Sequence, residues 1–199
     1  NVSEWGTDCV LLMAPAKILD SQFSKGRRNC ISIVPRTDML QENSVEIVNT
    51  LIKDAGQWDE SLRNDPSSGI QVESGKLSYG HESSIKVFNC HFINNKLKDM
   101  QLSKGATKCH IENCTFTNVI NLRPYQKGGH LFLNNQFKGD KARIVITNIE
   151  LNVEEVRFIG NSFETNLQPI KQRTSSRSLI RKISQPIYLL NNNFNTVED

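Results

Sequence analysis

The chain has 199 residues, 37% hydrophobic and 23% charged, a composition that supports one sizeable core and is too polar for a membrane span. Its 24 basic and 21 acidic residues leave a net charge of +3, and so balanced a set does not indicate nucleic acid as a partner. We therefore expect a single soluble domain over residues 1–199, with no membrane and no nucleic-acid partner.

The first predicted element is a strand, because apolar residues alternate along residues 7–12 (TDCVLL). No capping segment is recognisable before it, although proteins normally cover the unpaired edge of a terminal strand. The chain also begins at Asn1 without the charged start and apolar run of a signal peptide. We therefore expect a fragment of a longer chain, or an end that a partner covers.

A short phrase then recurs along the chain: an apolar residue, a spacer, Asn or Asp, two further residues and a large apolar residue. Its seven copies, one of which has Gly at the Asn position, are 18–23, 47–52, 87–92, 111–116, 132–137, 158–163 and 189–194. Their spacing varies from 21 residues (Asn113 to Asn134) to 40 (Asn49 to Asn89). Such variation favours a coil of short strands with loops of unequal length over an array of helix pairs.

The central Asn of each copy predicts a bend, because Asn tolerates the left-handed backbone conformation that a sharp turn needs. Its amide can also bond to the copies above and below, about 4.8 Å away along the stacking direction. We therefore predict an internal ladder formed by Asn49, Asn89, Asn113, Asn134 and Asn191. Asp20 and Gly160 are its two exceptions.

A second family of strands lies between these copies. Its inward pairs are Val10/Leu12, Ile31/Ile33, Ile70/Val72, Met100/Leu102, Ile120/Leu122 and Ile144/Ile146. Together the two families predict an all-β fold, a single-stranded parallel β-helix (solenoid) of about seven to eight rungs with almost no helix. Loop insertions are expected near residues 54–68 and 166–185.

The five cysteines show no CxxC pair and no zinc-type spacing with histidine, so we expect no metal and no cofactor. Cys90, Cys109 and Cys114 fall at core positions of the repeat and are interpreted as small buried hydrophobic residues. The odd count favours free thiols and folding in a reducing cytosol.

Three stretches carry a resemblance to a known family: residues 26–33 (GRRNCISI), 67–73 (SSGIQVE) and 109–116 (CHIENCTF). They resemble the right-handed parallel β-helices of the pectin-lyase-like superfamily, and within it those of phage tailspikes, appendages and polysaccharide depolymerases. The resemblance implies a right-handed coil, a homotrimer or other chains of a larger assembly as partners, and a virion or extracellular location. It does not fix the activity, because one coil serves lyases, hydrolases, adhesins and inert stalks.

The candidate catalytic residues are Glu73 and Asp65. Related sequences often carry an acidic residue where this chain has Gln71, so a second carboxylate has to come from elsewhere, since glycoside cleavage ordinarily uses two. The insertion that leads into the Glu73 strand offers Asp65 as that carboxylate and Trp58 as a flat face for a sugar ring. The same segment also fits an ordinary acidic surface loop.

Candidate substrate-binding residues lie on the predicted outward positions of the second strand family. Gln71, Gln101 and Asn121 form an amide column, while Arg28 and Arg123 are placed to hold an anionic sugar and Asn29 stands beside Arg28. An ordinary solvated sheet face fits this column equally well. The insertion near 166–185 is rich in basic residues and fits either an acidic glycan or a solvated loop.

Three hypotheses follow for function. The first is a carbohydrate-binding β-helix of a phage tailspike or appendage that recognises bacterial surface polysaccharide, with glycan cleavage left open. The second is a secreted bacterial polysaccharide lyase or glycoside hydrolase. The third is a non-catalytic adhesin or structural stalk.

Overall fold

The computed structural model describes residues 2–3, 7–36, 45–57, 67–73, 83–103, 106–123, 129–148, 155–174 and 187–195. These residues form 22 strands, β1 to β22 in chain order, and contain no helix. The all-β prediction is confirmed. Nor do they contain a helix with the length and hydropathy needed to cross a membrane.

The strands form three parallel sheets, which we call S1, S2 and S3. S1 contains β2 (Asp8–Leu12), β5 (Asn29–Ile33), β8 (Ser68–Val72), β11 (Lys98–Leu102), β14 (Val119–Leu122), β17 (Arg143–Asn148) and β20 (Ile170–Thr174). S2 contains β3 (Ala16–Leu19), β6 (Val45–Val48), β9 (Ser83–Phe88), β12 (Ala106–Glu112), β15 (His130–Leu133), β18 (Val156–Ile159) and β21 (Ile187–Leu190). S3 contains β1 (Val2–Ser3), β4 (Gln22–Ser24), β7 (Leu51–Lys53), β10 (His91–Ile93), β13 (Thr115–Phe116), β16 (Gln136–Lys138), β19 (Ser162–Glu164) and β22 (Asn193–Asn195).

Successive strands pass from S1 to S2 to S3 and back, so each strand pairs with the strand three places further along the chain. This order is consistent with a parallel β-helix. The register keeps equivalent positions of the repeat on top of one another, as in the pairing of Ile47 with Val87 and of Ile111 with Phe132. Because the side-chain period of a strand is two, this register keeps one face of every sheet directed into the core.

The core is built from columns of like residues, and one of them is aromatic. Phe92, Phe116, Phe137, Phe163 and Phe194 stack with ring centroids 4.5–5.2 Å apart. The first four rings are buried, whereas Phe194 is 48% exposed. Each ring therefore buries its faces against its neighbours, and the burial of one rung depends on the rungs beside it.

The predicted bends are confirmed, but the predicted internal ladder is wrong by one residue. Asn49, Asn89, Asn113 and Asn134 have φ between 51° and 54°, and their side chains are exposed. A left-handed residue turns the chain, and in this coil it directs its own side chain outward. The next residue, such as Asn135 after Asn134, points into the coil.

The internal ladder therefore occupies the position after each bend. Asn135 donates from Nδ2 to Oδ1 of Asn161, and Asn161 donates likewise to Asn192, both at 2.9 Å. Cys90 and Cys114 hold the same position on earlier rungs, and the backbone N–H of Cys114 donates to Oδ1 of Asn135 at 3.0 Å. The prediction that these two cysteines and Cys109 are buried is confirmed, and all five thiols are free.

Candidate functional site

The outer face of S1 carries polar side chains in register on successive strands. Ser32 on β5 pairs with Gln71 on β8, Gln71 pairs with Gln101 on β11, and Gln101 pairs with Asn121 on β14. The three amides therefore form one column along the coil, which we call the amide column. Neighbouring members are separated by one strand spacing of about 4.8 Å.

Hydrogen bonds link one end of the amide column. Asn121 donates from Nδ2 to Oε1 of Gln101 at 3.1 Å, and Oδ1 of Asn121 accepts a long bond from Oγ1 of Thr147 at 3.5 Å. Gln71 donates only to the carbonyl of its neighbour Val72, at 3.3 Å. Side-chain hydrogen bonds therefore connect the amide column from Gln101 to Asn121, but none joins Gln71 to Gln101.

The interruption leaves an acceptor and a donor without partners on adjacent strands. Oε1 of Gln71 and Nε2 of Gln101 make no hydrogen bond, and each residue is only 5% exposed. A shielded polar atom without a partner costs about 1–3 kcal/mol, so this step of the column favours a group that can both donate and accept. A hydroxyl is such a group.

Glu73 follows β8 at the edge of the amide column. Partial burial raises the pKa of its carboxyl, the positive charge of Arg28 lowers it, and the negative charge of Asp8 raises it. The net effect is a pKa raised from the ordinary value for Glu. A raised pKa favours the protonated carboxyl, which is the form that acts as a general acid.

Arg28 and Asn29 belong to a network around Asp8. Arg28 forms a bidentate ion pair with Asp8, with nitrogen–oxygen distances of 2.7 and 3.1 Å. Asn29 has no exposed surface, donates from Nδ2 to Asp8 at 3.1 Å, and accepts from the backbone N–H of Ser68 at 3.0 Å. These bonds join the three successive strands β2, β5 and β8, so both residues support the rungs beneath Glu73.

Asp8 stays ionised in this network. Burial of its carboxyl acts to raise the pKa, but hydrogen bonds from Arg28, Ser32 and the Asn29 backbone, with the charge of Arg28, outweigh burial and lower the pKa. Its oxygens accept bonds from all three residues. Asp8 is therefore committed to structure and is not free to serve as a catalytic base beside Glu73.

Comparison of the chain with protein-family models, with curated proteins and with solved structures gave no match. What the S1 face can do therefore follows from its own chemistry. Its amides and hydroxyls suit sugar hydroxyls, which combine a donor with an acceptor.

The remaining predicted site residues divide into two groups. Arg123 is exposed after β14, and its charge adds to burial in lowering the pKa of Lys98. Trp58 and Asp65 lie outside the described residues, as does most of the insertion near 54–68. Among the described residues, no group of three or more His, Cys, Asp or Glu side chains could hold a metal ion.

Sequence analysis missed two features, one on S1 and one on S2. The role of Asp8 was missed because the partners of a first-rung carboxylate become visible only when the register of β2 with β5 is known. The second feature lies on S2, where Lys86 on β9 stands beside His110 on β12. Comparing outward positions of the S2 strands, as was done for S1, would have revealed this alignment.

Proposed function

We propose that this chain is a carbohydrate-recognising, right-handed parallel β-helix of the pectin-lyase-like kind. The right-handed sense is supported by the strong preference of parallel strand connections for that hand. Sheets of seven, seven and eight strands support seven to eight rungs. The resemblance of residues 26–33, 67–73 and 109–116 supports three further proposals. The chain is part of a phage tailspike or appendage, it forms a homotrimer, and its location is the virion or the extracellular space.

The observation that carries the proposal is the lack of hydrogen-bond partners for Oε1 of Gln71 and Nε2 of Gln101 on adjacent strands of the amide column. A sugar hydroxyl placed between Gln71 and Gln101 would donate to Oε1 of the first and accept from Nε2 of the second. Shielding from water strengthens such bonds, because solvent does not compete for either atom. A saccharide that crosses the column can then use Asn121 and Arg123 on the following strand.

Glycan cleavage is the second part of the proposal, with Glu73 as the general acid. The raised pKa of Glu73 supports this role, and Asp65 remains the proposed second carboxylate. A non-catalytic adhesin is the competing function. It is favoured by the engagement of Asp8 with Arg28, which leaves Glu73 without that carboxylate as a partner.

The test measures binding and reducing-end release from a panel of bacterial capsular, wall and plant polysaccharides. The double variant Gln71→Ala/Gln101→Ala should lose about tenfold or more in affinity, because it removes two shielded hydrogen bonds to the ligand. Gln136→Ala is the matched control, since Gln136 is an exposed amide on S3. If no polysaccharide in the panel binds, or if the control loses as much as the double variant, the proposal fails.

Cleavage is tested on the same panel with Glu73→Gln and Asp65→Asn. Release that disappears in both variants identifies a glycan-cleaving enzyme and its carboxylates. Binding without release from the unmodified chain identifies an adhesin.

A further inference from the structure

A second face of the coil carries an elongated groove. A cavity of about 550 Å³ on the outer side of S2 is lined by Lys86, Lys108, His110, Leu131, Glu155 and Arg157, among others. A second cavity of about 430 Å³ shares Glu155 and Arg157 with the first and extends to Tyr188. Because the two cavities share lining residues, they form one depression, which we call the S2 groove.

The S2 groove follows the axis of the coil. Lys86, His110, Leu131, Arg157 and Tyr188 occupy one outward position on the five successive strands β9, β12, β15, β18 and β21. At about 4.8 Å per strand, the column is about 19 Å long. A depression of this length suits several units of an extended chain better than one compact small molecule.

The lining has an excess of positive charge. Arg157 donates to Glu155 at 2.9 Å, which balances one basic residue. Lys86 and Lys108 form no ion pair within the described part of the chain. Glu46 stands beside Lys86 in register, but its carboxylate lies 3.8 Å from the ammonium of Lys17.

Histidine and aromatic side chains complete the groove. Nε2 of His110 lies 3.0 Å from Oε2 of Glu112, and its ring meets the ring of Phe88 edge to face at 5.0 Å. At the far end, Tyr188 is 42% exposed and pairs in register with Arg157. An exposed ring next to a cation offers a flat apolar face and a hydroxyl to a sugar unit.

We propose that the S2 groove binds an anionic polysaccharide, with Lys86 and Lys108 holding the carboxylates of its acidic units and Tyr188 contacting a sugar ring. The identity of the polymer as a polysaccharide rests on the proposed function; the site and its preference for acidic units do not. The groove differs from the amide column in sheet, in side-chain chemistry and in charge.

A nucleic acid fits the groove less well. Binding to nucleic acid depends on many phosphate contacts, and single strands also need aromatic platforms for successive bases. Among the described residues, the S2 groove has two lysines without an ion pair and one exposed aromatic ring, with Glu155 beside Arg157 and Glu112 beside His110. These side chains suit a polymer that carries few carboxylates and many hydroxyls.

The experiment compares acidic capsular oligosaccharides with the same oligosaccharides after reduction of their carboxyl groups to alcohols. Affinities are measured by calorimetry for the unmodified chain, for Lys86→Gln/Lys108→Gln and for Gln71→Ala/Gln101→Ala, and a single-stranded oligonucleotide is measured in the same way. Lys138→Gln/Lys141→Gln is the matched control, because it changes the net charge equally at two exposed lysines outside the groove. Circular dichroism verifies that each variant is folded.

We expect the groove variant to lose about tenfold to hundredfold in affinity for a carboxylated oligosaccharide, because two charge-assisted hydrogen bonds disappear. The control should bind as the unmodified chain does, and the carboxyl-reduced oligosaccharide should bind equally to the unmodified chain, the groove variant and the control. Added salt should weaken binding of the carboxylated member alone.

Other outcomes overturn the inference. If binding is lost in Gln71→Ala/Gln101→Ala and unchanged in the groove variant, the S2 groove is not the site, while the proposed function stands. The inference is also overturned if binding does not depend on the carboxyl groups of the oligosaccharide. It is overturned as well if a single-stranded oligonucleotide is the only ligand whose affinity depends on the two lysines. If no oligosaccharide binds to any protein, both proposals fail together.

Discussion

At the scale of single residues, His130 is an unusual occupant of a solenoid core. Its ring is fully buried, neither ring nitrogen has a hydrogen-bond partner, and its neighbours in register include Val156. Burial lowers its pKa to about 4, so the ring stays neutral at physiological pH. A buried polar group without partners lowers the stability of the fold by about 1–3 kcal/mol, and an apolar residue of similar size would avoid this loss.

Asp99 is a buried acid, so burial raises its pKa, whereas burial lowers the pKa of His130. Burial raises the pKa of its carboxyl to about 6, although Asn95, Thr117 and Asn118 donate hydrogen bonds to it at 2.7–2.9 Å. The folded state therefore takes up a proton at Asp99 near pH 6, whereas the unfolded chain does so near pH 3.8. Stability from Asp99 is fully present below about pH 3.8 and is lost as the pH rises through about 6.

The two residues should oppose each other between pH 4 and 6. As the pH falls from about 6.5 to 4, the unfolded chain gains a proton at His130 that the folded chain does not, which costs about 3 kcal/mol. Over nearly the same window, protonation of Asp99 stabilises the fold by about 3 kcal/mol. The pH dependence that these two groups produce together is therefore shallow.

We predict that His130→Leu gains stability relative to the unmodified chain as the pH falls from 6.5 to 4, and that Asp99→Asn loses it. Urea unfolding at several pH values measures both differences. His91→Leu, at an exposed histidine on S3, is the control and should show no such gain. Parallel stability curves for His130→Leu and the unmodified chain would contradict the assignment of a low pKa to His130.

At the scale of the repeated element, two adjacent asparagines have different tasks. Asn134 provides the left-handed bend, with φ of 53° and an exposed side chain, whereas Asn135 is buried in the ladder. Asn135 accepts from the backbone N–H of Cys114 at 3.0 Å and donates to the carbonyl of Ile111 at 2.9 Å. One residue sets the geometry of the bend, and the next satisfies the backbone groups that the bend leaves inside.

We predict that Asn134→Gly changes stability by less than about 1 kcal/mol, because glycine adopts a positive φ without strain. Asn135→Ala should cost about 2–4 kcal/mol, since it leaves the N–H of Cys114 and the carbonyl of Ile111 buried without partners. Chemical denaturation of the two variants provides the comparison. Equal losses of stability, or a larger loss for Asn134→Gly, would contradict the assignment of the internal ladder to Asn135 rather than to Asn134.

Sequence reasoning predicted the repeat and the bends correctly, because both depend on local properties of the chain. Spacing of apolar residues by two and the tolerance of Asn for positive φ are visible in any single copy. The direction of a side chain after a left-handed residue depends on the whole turn, so Asn135 was not recognised as the inner residue. The partners of Arg28 were missed for a related reason, since Asp8 lies one full rung away.

At the scale of the whole molecule, each rung contacts only its neighbours, so stability should vary along the coil. The central rungs have fully buried core residues on both sides, including Ile111, Phe132 and Phe137. On the last described rung, Leu189 is 51% exposed and Phe194 48% exposed, although both occupy inward columns of the repeat. These exposures give the last described rung less packing than a central rung.

We predict that β21 and β22 open before the rest of the coil. Amide hydrogen exchange should show protection that rises from these strands toward β12 and β15, because local opening exposes fewer buried contacts at the end than in the centre. Phe163→Ala, which removes the ring beneath Phe194, should speed exchange in β22 most and leave β10 almost unchanged. Uniform protection along the chain, or equal effects on both strands, would mean that the coil unfolds as one cooperative unit and that the nearest-neighbour account of its core is wrong.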